Sequence, residues 1–385
     1  MHSKLALPAV VSLLLTIASI SDTDAADDLL EVYGQIRADV IYDDSRPDAA
    51  QTPTFILSEA PDEEDRSNFT MHPRLSRLGV TFEGPVLDRL AAASMSGTLE
   101  FDFQNGGRES RAAPRYRHAF VNLSWSTFSV LIGQTSDTIS PLFPAANGDT
   151  LMWNAGNLGD RRMQLRLTYQ SQGEDLRWSL AGALGLSGAV DQQDLDADGV
   201  RDGEAAGMPS FQARIGLSYP IGARRLSLGL WGFSSSEELA EPIAGRASFD
   251  GRAIGIDFEV PLGARLLVRG ESWNGSNLSD VRGGIGQSVN PLTGREIDSR
   301  GGWIELGGGP APSYQAFLGY TLDKPDDGQV PDAGRTRNTA VYLANRFTLS
   351  GGFTVGIEVL RWRTEYQGLP EGSDNRLNAY LVYGF

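Results

Sequence analysis

The chain ends on Arg376-Leu-Asn-Ala-Tyr-Leu-Val-Tyr-Gly-Phe385, which sets Leu377, Ala379, Leu381, Tyr383 and Phe385 on one face of a period-two strand. Chain ends usually fray. This one instead carries an apolar face unbroken to an aromatic carboxyl terminus. Such a strand needs a partner on each edge, because an open edge among apolar neighbours leaves N–H and C=O groups unsatisfied. The solution that removes every edge is a sheet closed on itself, with its apolar positions turned to lipid.

The other terminus agrees. Lys4 precedes an apolar run from Leu5 to Ile20, too short to cross a bilayer, and Thr23-Asp24-Ala25 supplies small residues of the kind a signal peptidase reads. We place cleavage after Ala25, so residues 1–25 are a signal peptide and 26–385 one exported unit. No later stretch approaches the roughly 18 apolar residues of a transmembrane helix, so a membrane protein of this sequence crosses with strands. The chain has no Cys and a net charge of −16. The first excludes disulfides and thiolate chemistry. The second argues against nucleic acid as a partner, since phosphate neutralisation requires basic surface.

Alternation of apolar and polar residues divides the exported chain into about 16 segments of about 8 to 13 residues, the pattern of a transmembrane antiparallel β-barrel. In the first, Leu30, Val32, Ile36, Ala38 and Val40 alternate with Glu31, Tyr33, Gln35, Arg37 and Asp39. Short connections, such as Pro220-Ile221-Gly222-Ala223 and Pro261-Leu262-Gly263-Ala264, alternate with long polar ones: Asp43 to His72, Thr135 to Arg161, Ser187 to Met208, Ser234 to Ser248 and Asn274 to Arg300. Short turns on one rim and long loops on the other are the periplasmic and external ends of an outer-membrane barrel.

Three stretches carry a resemblance. Val32-Tyr-Gly-Gln-Ile-Arg-Ala-Asp-Val-Ile-Tyr42, Arg74-Leu-Ser-Arg-Leu-Gly79 and Asn154-Ala-Gly-Asn-Leu-Gly-Asp-Arg-Arg162 are similar to the DcaP-like family of trimeric porins, and the whole exported chain resembles a Gram-negative porin. Its terminal strand likewise resembles the signal read by the barrel-assembly machinery. The resemblance implies an outer-membrane homotrimer for passive diffusion of small hydrophilic solutes, with small carboxylates as the associated class. Almost nothing separates the cleavage site from the first strand, so the N-terminal coiled coil of some members is not expected.

The third long loop, Thr135 to Arg161, holds Pro141, Pro144 and Trp153, apolar for a solvated loop, and in porins the corresponding loop narrows the lumen. Its acids Asp137, Asp149 and Asp160 would then face wall arginines. Strand parity turns Arg37, Arg77, Arg162, Arg166, Arg214 and Arg269 inward, together with Tyr116 and His118. Such an arginine row would favour anions. Separately, Asp194, Asp196, Asp198 and Asp202, with the Val200 carbonyl, match positions 1, 3, 5, 9 and 7 of a calcium-binding loop, although position 12 is Ala205. The alternatives are a barrel enzyme of lipase or protease type, built on His118, and a loop-based adhesin. No GxSxG or HExxH motif supports an enzyme.

Overall fold

The computed structural model describes residues 29–59, 66–104 and 113–385. The signal peptide expected at 1–25 lies outside them. In chain order the strands are β1 (Leu30–Asp43), β2 (Asn68–His72), β3 (Arg77–Glu83), β4 (Ser94–Asp102), β5 (Arg115–Ser124), β6 (Phe128–Ser136), β7 (Arg161–Gln170), β8 (Arg177–Gly185) and β9 (Ser210–Ile221). They continue with β10 (Arg224–Ile243), β11 (Arg246–Leu262), β12 (Leu266–Ser276), β13 (Val289–Asn290), β14 (Arg295–Glu296), β15 (Asp298–Ala311), β16 (Tyr314–Pro325), β17 (Arg335–Thr348), β18 (Phe353–Tyr366) and β19 (Gly372–Gly384). One short helix, α1 (Asp202–Ala205), sits in the loop between β8 and β9.

Both β2 and β3 pair with β1 and together make one wall strand, while β13 and β14 form a separate small hairpin. The wall is therefore a closed antiparallel barrel of 16 strands, as the alternation in the sequence implies. Closure is made by β1 against β19, with Ile36 opposite Tyr383 and Ala38 opposite Leu381. The outward row of β1 is apolar and open, Ile36 being 62% exposed, whereas the inward row of Arg37, Asp39 and Asp43 is covered. An apolar surface of this extent around a closed sheet is matched to lipid, and the closed ladder leaves no wall strand with a free edge.

The terminal residue completes the seam. The Phe385 amide donates to the Gly34 carbonyl at 3.1 Å, and the Gly34 amide donates to the Phe385 carbonyl at 2.9 Å. The Phe385 ring lies over Gly34, where a Cβ would sit 2.8 Å from it, so a side chain at 34 would push the ring off the seam. Tyr383 extends the aromatic group, 4.7 Å from the Phe353 ring and 6.4 Å from that of Phe385.

One expected loop is absent. Ser234 to Ser248 is not a polar excursion: β10 and β11 run on as a paired ribbon of 20 and 17 residues, turning only at Ala244 and Gly245. Polar alternation in Ser234, Ser236 and Glu238 looked like a loop because above the lipid the outward face of a strand meets water.

The apolar core lies inside the barrel. Ala146, Met152 and Ala155 of the loop between β6 and β7 pack with Tyr342, Leu360 and Trp362, and Ile139 and Leu158 pack with Trp231, Phe233 and Trp273. Deleting Phe385, or substituting Gly34→Leu, should lower the yield of heat-modifiable folded barrel in gel assays, while Leu381→Val should not. Full yield from the Phe385 deletion would contradict the closing role of the seam.

Candidate functional site

The loop from 137 to 160 enters the lumen and lies against the wall, where the amides turned to the wall need acceptors in place of water. The wall provides them in sequence. Gln212 of β9 accepts from the Thr138 amide at 2.6 Å, Glu271 of β12 from the Leu142 amide at 2.8 Å, Glu305 of β15 from the Ala145 amide at 2.7 Å and Glu358 of β18 from the Asn147 amide at 2.8 Å. The Ser140 hydroxyl also donates to Glu271. On its return the loop is held by Asn338 Nδ2 to the Asn154 carbonyl and Trp273 Nε1 to the Gly156 carbonyl, both at 2.8 Å. Pro141 and Pro144 have no N–H to satisfy, which suits an extended segment laid along a wall.

An arginine fastens the base of this loop. Arg162 Nε reaches Asp137 at 2.7 Å, and its Nη atoms reach the Asp280 carboxylate at 2.7 Å and the Asp280 carbonyl at 2.6 Å. Only 1% of Arg162 is exposed, and Gln212 Nε2 completes the shell by donating to Asp137 at 2.6 Å. The guanidinium thus ties the inward loop to the β12–β15 loop. It is a buried clamp and not the open pore wall that parity suggested.

The loop acids are consumed in the same way. Asp149 accepts from Gln104 at 2.9 Å and lies 3.4 Å from His72 and 3.9 Å from Arg376. Asp160 pairs with Arg282 at 2.8 Å and Arg161 at 3.5 Å. Burial opposes its ionisation, but Arg282 and Arg161 outweigh that and hold its pKa below the usual carboxylate range. Asp137, Asp149 and Asp160 do face arginines, but in direct pairs, so they do not form a free acidic rim.

The wall of β1 and β3 to β7 is basic. Arg37 makes a forked contact to Asp39 at 2.6–3.1 Å and stacks 4.0 Å over Tyr380. Arg115 and Arg117 share Asp102 at 2.8 and 2.9 Å, and Arg117 also binds Glu100 at 2.5 Å. Among the described residues Arg77, within electrostatic reach of Arg117, Glu100, Asp102 and Arg37, has no carboxylate at ion-pair distance, and Arg166 bonds only Gln164 and the Ser136 carbonyl. Arg214 and Arg269 face inward but are matched by Asp257 and Glu305 at 2.7 and 2.8 Å.

Tyr116 points the other way: it is 63% exposed on the outer surface. His118 opposes Glu100 while Tyr116 opposes Phe101, so Arg117 is an extra residue in β5. This bulge turns Arg117 into the lumen with His118, whose ring lies 3.0 Å from Thr135 Oγ1. Strict alternation missed Arg117, and the available signal was the pair of acids, Glu100 and Asp102, waiting on β4.

In the β8–β9 loop the carboxylates of Asp194, Asp196 and Asp202 converge within 4.8 Å of one another. Asp194 accepts the amides of Asp198 and Gly199, both at 3.1 Å. Asp198 stands outside the group, its carboxylate accepting the Val200 amide at 2.7 Å, and Glu204 is paired with Arg201. Burial, with Asp196 and Asp194 adding their charge, pushes the Asp202 carboxyl up to about 6. Three carboxylates suit a hard cation weakly; the bidentate twelfth ligand is missing at Ala205.

A closed 16-stranded barrel with a charged lumen and an inward loop bound to its wall is the architecture of outer-membrane pores. The fold is shared with the outer membrane channel DcaP of Acinetobacter baumannii at a TM-score of 0.75 and 16% identity, covering 92% of this chain and 97% of that one. OmpT of Vibrio cholerae superposes at 0.58 with 14% identity over 92% and 97% of the two chains, and an anion-selective porin from Comamonas acidovorans at 0.56 with 15% identity over 92% and 99%. No protein-family model matches the sequence, and no curated protein matches it.

Removing the clamp with Arg162→Ala leaves Asp137 and Asp280 buried without their cation, a loss of about 3–5 kcal/mol of local stability. Protease should then cut residues 137–160 in the folded barrel faster than in wild type. An uncut loop would show that the wall acids alone hold it.

Proposed function

We propose that this protein is an outer-membrane porin, a water-filled channel for passive diffusion of small hydrophilic solutes, with a lean toward anions and small carboxylates. The observation that carries the reading is the inward loop fastened along Gln212, Glu271, Glu305 and Glu358, which narrows the lumen and leaves it facing the arginine-bearing wall of β1 and β3 to β7. Arg77 and Arg166 are the two of the expected set with no carboxylate at contact distance, and they add positive field for a passing carboxylate to meet. Support also comes from the shared fold, since one of the similar structures is described as anion-selective.

The chain would be inserted by the barrel-assembly machinery through its Leu377 to Phe385 face. We propose a homotrimer, in line with the trimer form described for OmpT of Vibrio cholerae. For the enzyme alternative built on His118, the ring contacts Thr135 Oγ1 at 3.0 Å, and among the described residues no carboxylate lies within bonding distance to orient it.

Purified protein in a planar bilayer should give stepwise conductance, with a reversal potential across a salt gradient on the anion side. Arg77→Gln with Arg166→Gln should move that potential toward cations and slow uptake of a dicarboxylate more than that of a neutral sugar of similar size. A cation-selective wild-type pore would overturn the anion reading, and the absence of conductance steps would overturn the pore itself.

We further propose weak calcium binding by Asp194, Asp196 and Asp202. Calcium at millimolar concentration should slow proteolysis of the Ser187 to Met208 loop, and Asp194→Asn with Asp196→Asn should abolish the protection. Equal cutting in calcium and in chelator would leave the loop a solvated acidic turn.

A further inference from the structure

Two external loops meet on one buried acid. Glu237 of β10 lies beyond the lipid-facing run that ends at Leu230, and its side chain turns inward, 3% exposed. The loop from 187 to 209 reaches it through Gln193 Nε2 at 3.4 Å, and the loop from 277 to 297 through Asn277 Nδ2 at 3.0 Å. A further bond joins the two loops directly, from the Ser288 hydroxyl to Gln193 Oε1. Phe249 stands opposite Glu237 in the β10–β11 ladder and packs with Leu239, Val289 and Leu195, so apolar side chains from both loops and the ribbon meet beside the acid.

The charges that face Glu237 share its sign. The 187–209 loop presents Asp191 and Asp202, and the 277–297 loop presents Asp280. Arg162 of β7 is committed to Asp280 and Asp137, and the facing residue of β11 is the apolar Phe249. Among the described residues no cation lies at ion-pair distance from Glu237. Both amides that reach it go to Oε2, which leaves Oε1 without them, while Asn277 Oδ1 is buried with no hydrogen-bond partner. A buried carboxylate among like charges is costly, and so is a buried acceptor without a donor. One proton on Oε1 answers both. Burial pushes the Glu237 carboxyl up to about 8; the Asn277 amide offsets part of that rise, and Asp191, Asp280 and Asp202 add to it.

We propose that Glu237 is a proton-operated latch: protonated on Oε1 it donates to Asn277 Oδ1 while Oε2 accepts from Asn277 Nδ2, a cyclic acid–amide pair that holds the two external loops together, and its ionisation releases them. Loss of the proton leaves a charge beside Asp191, Asp202 and Asp280, so the junction opens to let water reach it. Because Asp280 also fastens Arg162, release is passed to the base of the inward loop. The packed carboxyl binds its proton more tightly than a solvated one near 4.5, so the junction is firmest below that, weakens as pH rises and levels off above about 8. The inference stands on the loop junction and not on the pore conducting.

Hydrogen–deuterium exchange of the whole detergent-solubilised barrel, corrected for the intrinsic pH dependence of exchange, tests it. A chelator keeps the Asp194 to Asp202 loop free of cations throughout. In wild type the protection of residues 187–193 and 277–283 should fall by up to about tenfold per unit between roughly pH 6 and 8 and level off above that, while β17 and β18 keep theirs. Glu237→Gln, whose amide makes the same pair with Asn277 and cannot ionise, should remove most of that slope and stay protected at pH 9. Should this variant fail to give heat-modifiable barrel, Asn277→Ala carries the comparison: without the proton's acceptor, protection at pH 6 should drop to about the wild-type level at pH 9. Wild-type protection that does not change between pH 6 and 9, an unaltered slope in Glu237→Gln, or full protection of Asn277→Ala at pH 6 would each overturn the proposal.

Discussion

Everything in this molecule follows from the backbone's demand for hydrogen bonds where water is absent. In lipid that demand forbids an open sheet edge, so β1 must find β19, and the last residue is used to finish the ladder: Phe385 exchanges both bonds with Gly34. The same demand reappears inside. A loop laid against the lumen wall loses water on that side, so the amides turned to the wall must be satisfied there, and Gln212, Glu271, Glu305 and Glu358 on β9, β12, β15 and β18 do so at 2.6–2.8 Å.

The charges of the lumen are largely paired as well. Glu305 takes a loop amide, the Tyr342 hydroxyl at 2.7 Å and Arg269 at 2.8 Å, so it is saturated and contributes little free field. Arg162, although cationic and lumenal by parity, is spent on Asp137 and Asp280 and shapes the pore by holding two loops in place. Among the described residues, Arg77, Arg166 and Arg346 are inward arginines with no carboxylate in contact, a small part of a heavily charged interior. Selectivity in such a channel is the difference between large and nearly cancelling sets of charges, which is why the net −16 of the chain says nothing about its sign.

The outward surface is governed by a different balance. In its apolar band packing against lipid is unspecific, and any side chain of moderate size serves.

By itself the sequence determined the barrel, its strand count and which rim carries the long loops, because a period of two and an aromatic terminus are local properties written residue by residue. It also placed Arg37, Arg77, His118, Arg166, Arg214 and Arg269 inward. It failed where register changes: the extra residue Arg117 in β5 reverses the faces beyond it and sends Tyr116 outward, and no alternation shows a bulge whose cause lies in Glu100 and Asp102 on the next strand. It also could not tell a ribbon from a loop at Ser234 to Ser248, since both are polar above the lipid. Which charges are free was decided only by the tertiary structure, because Arg162 meets Asp280 across 118 residues and Asn147 meets Glu358 across 211, and a charge's effect depends on the partner that folding brings to it.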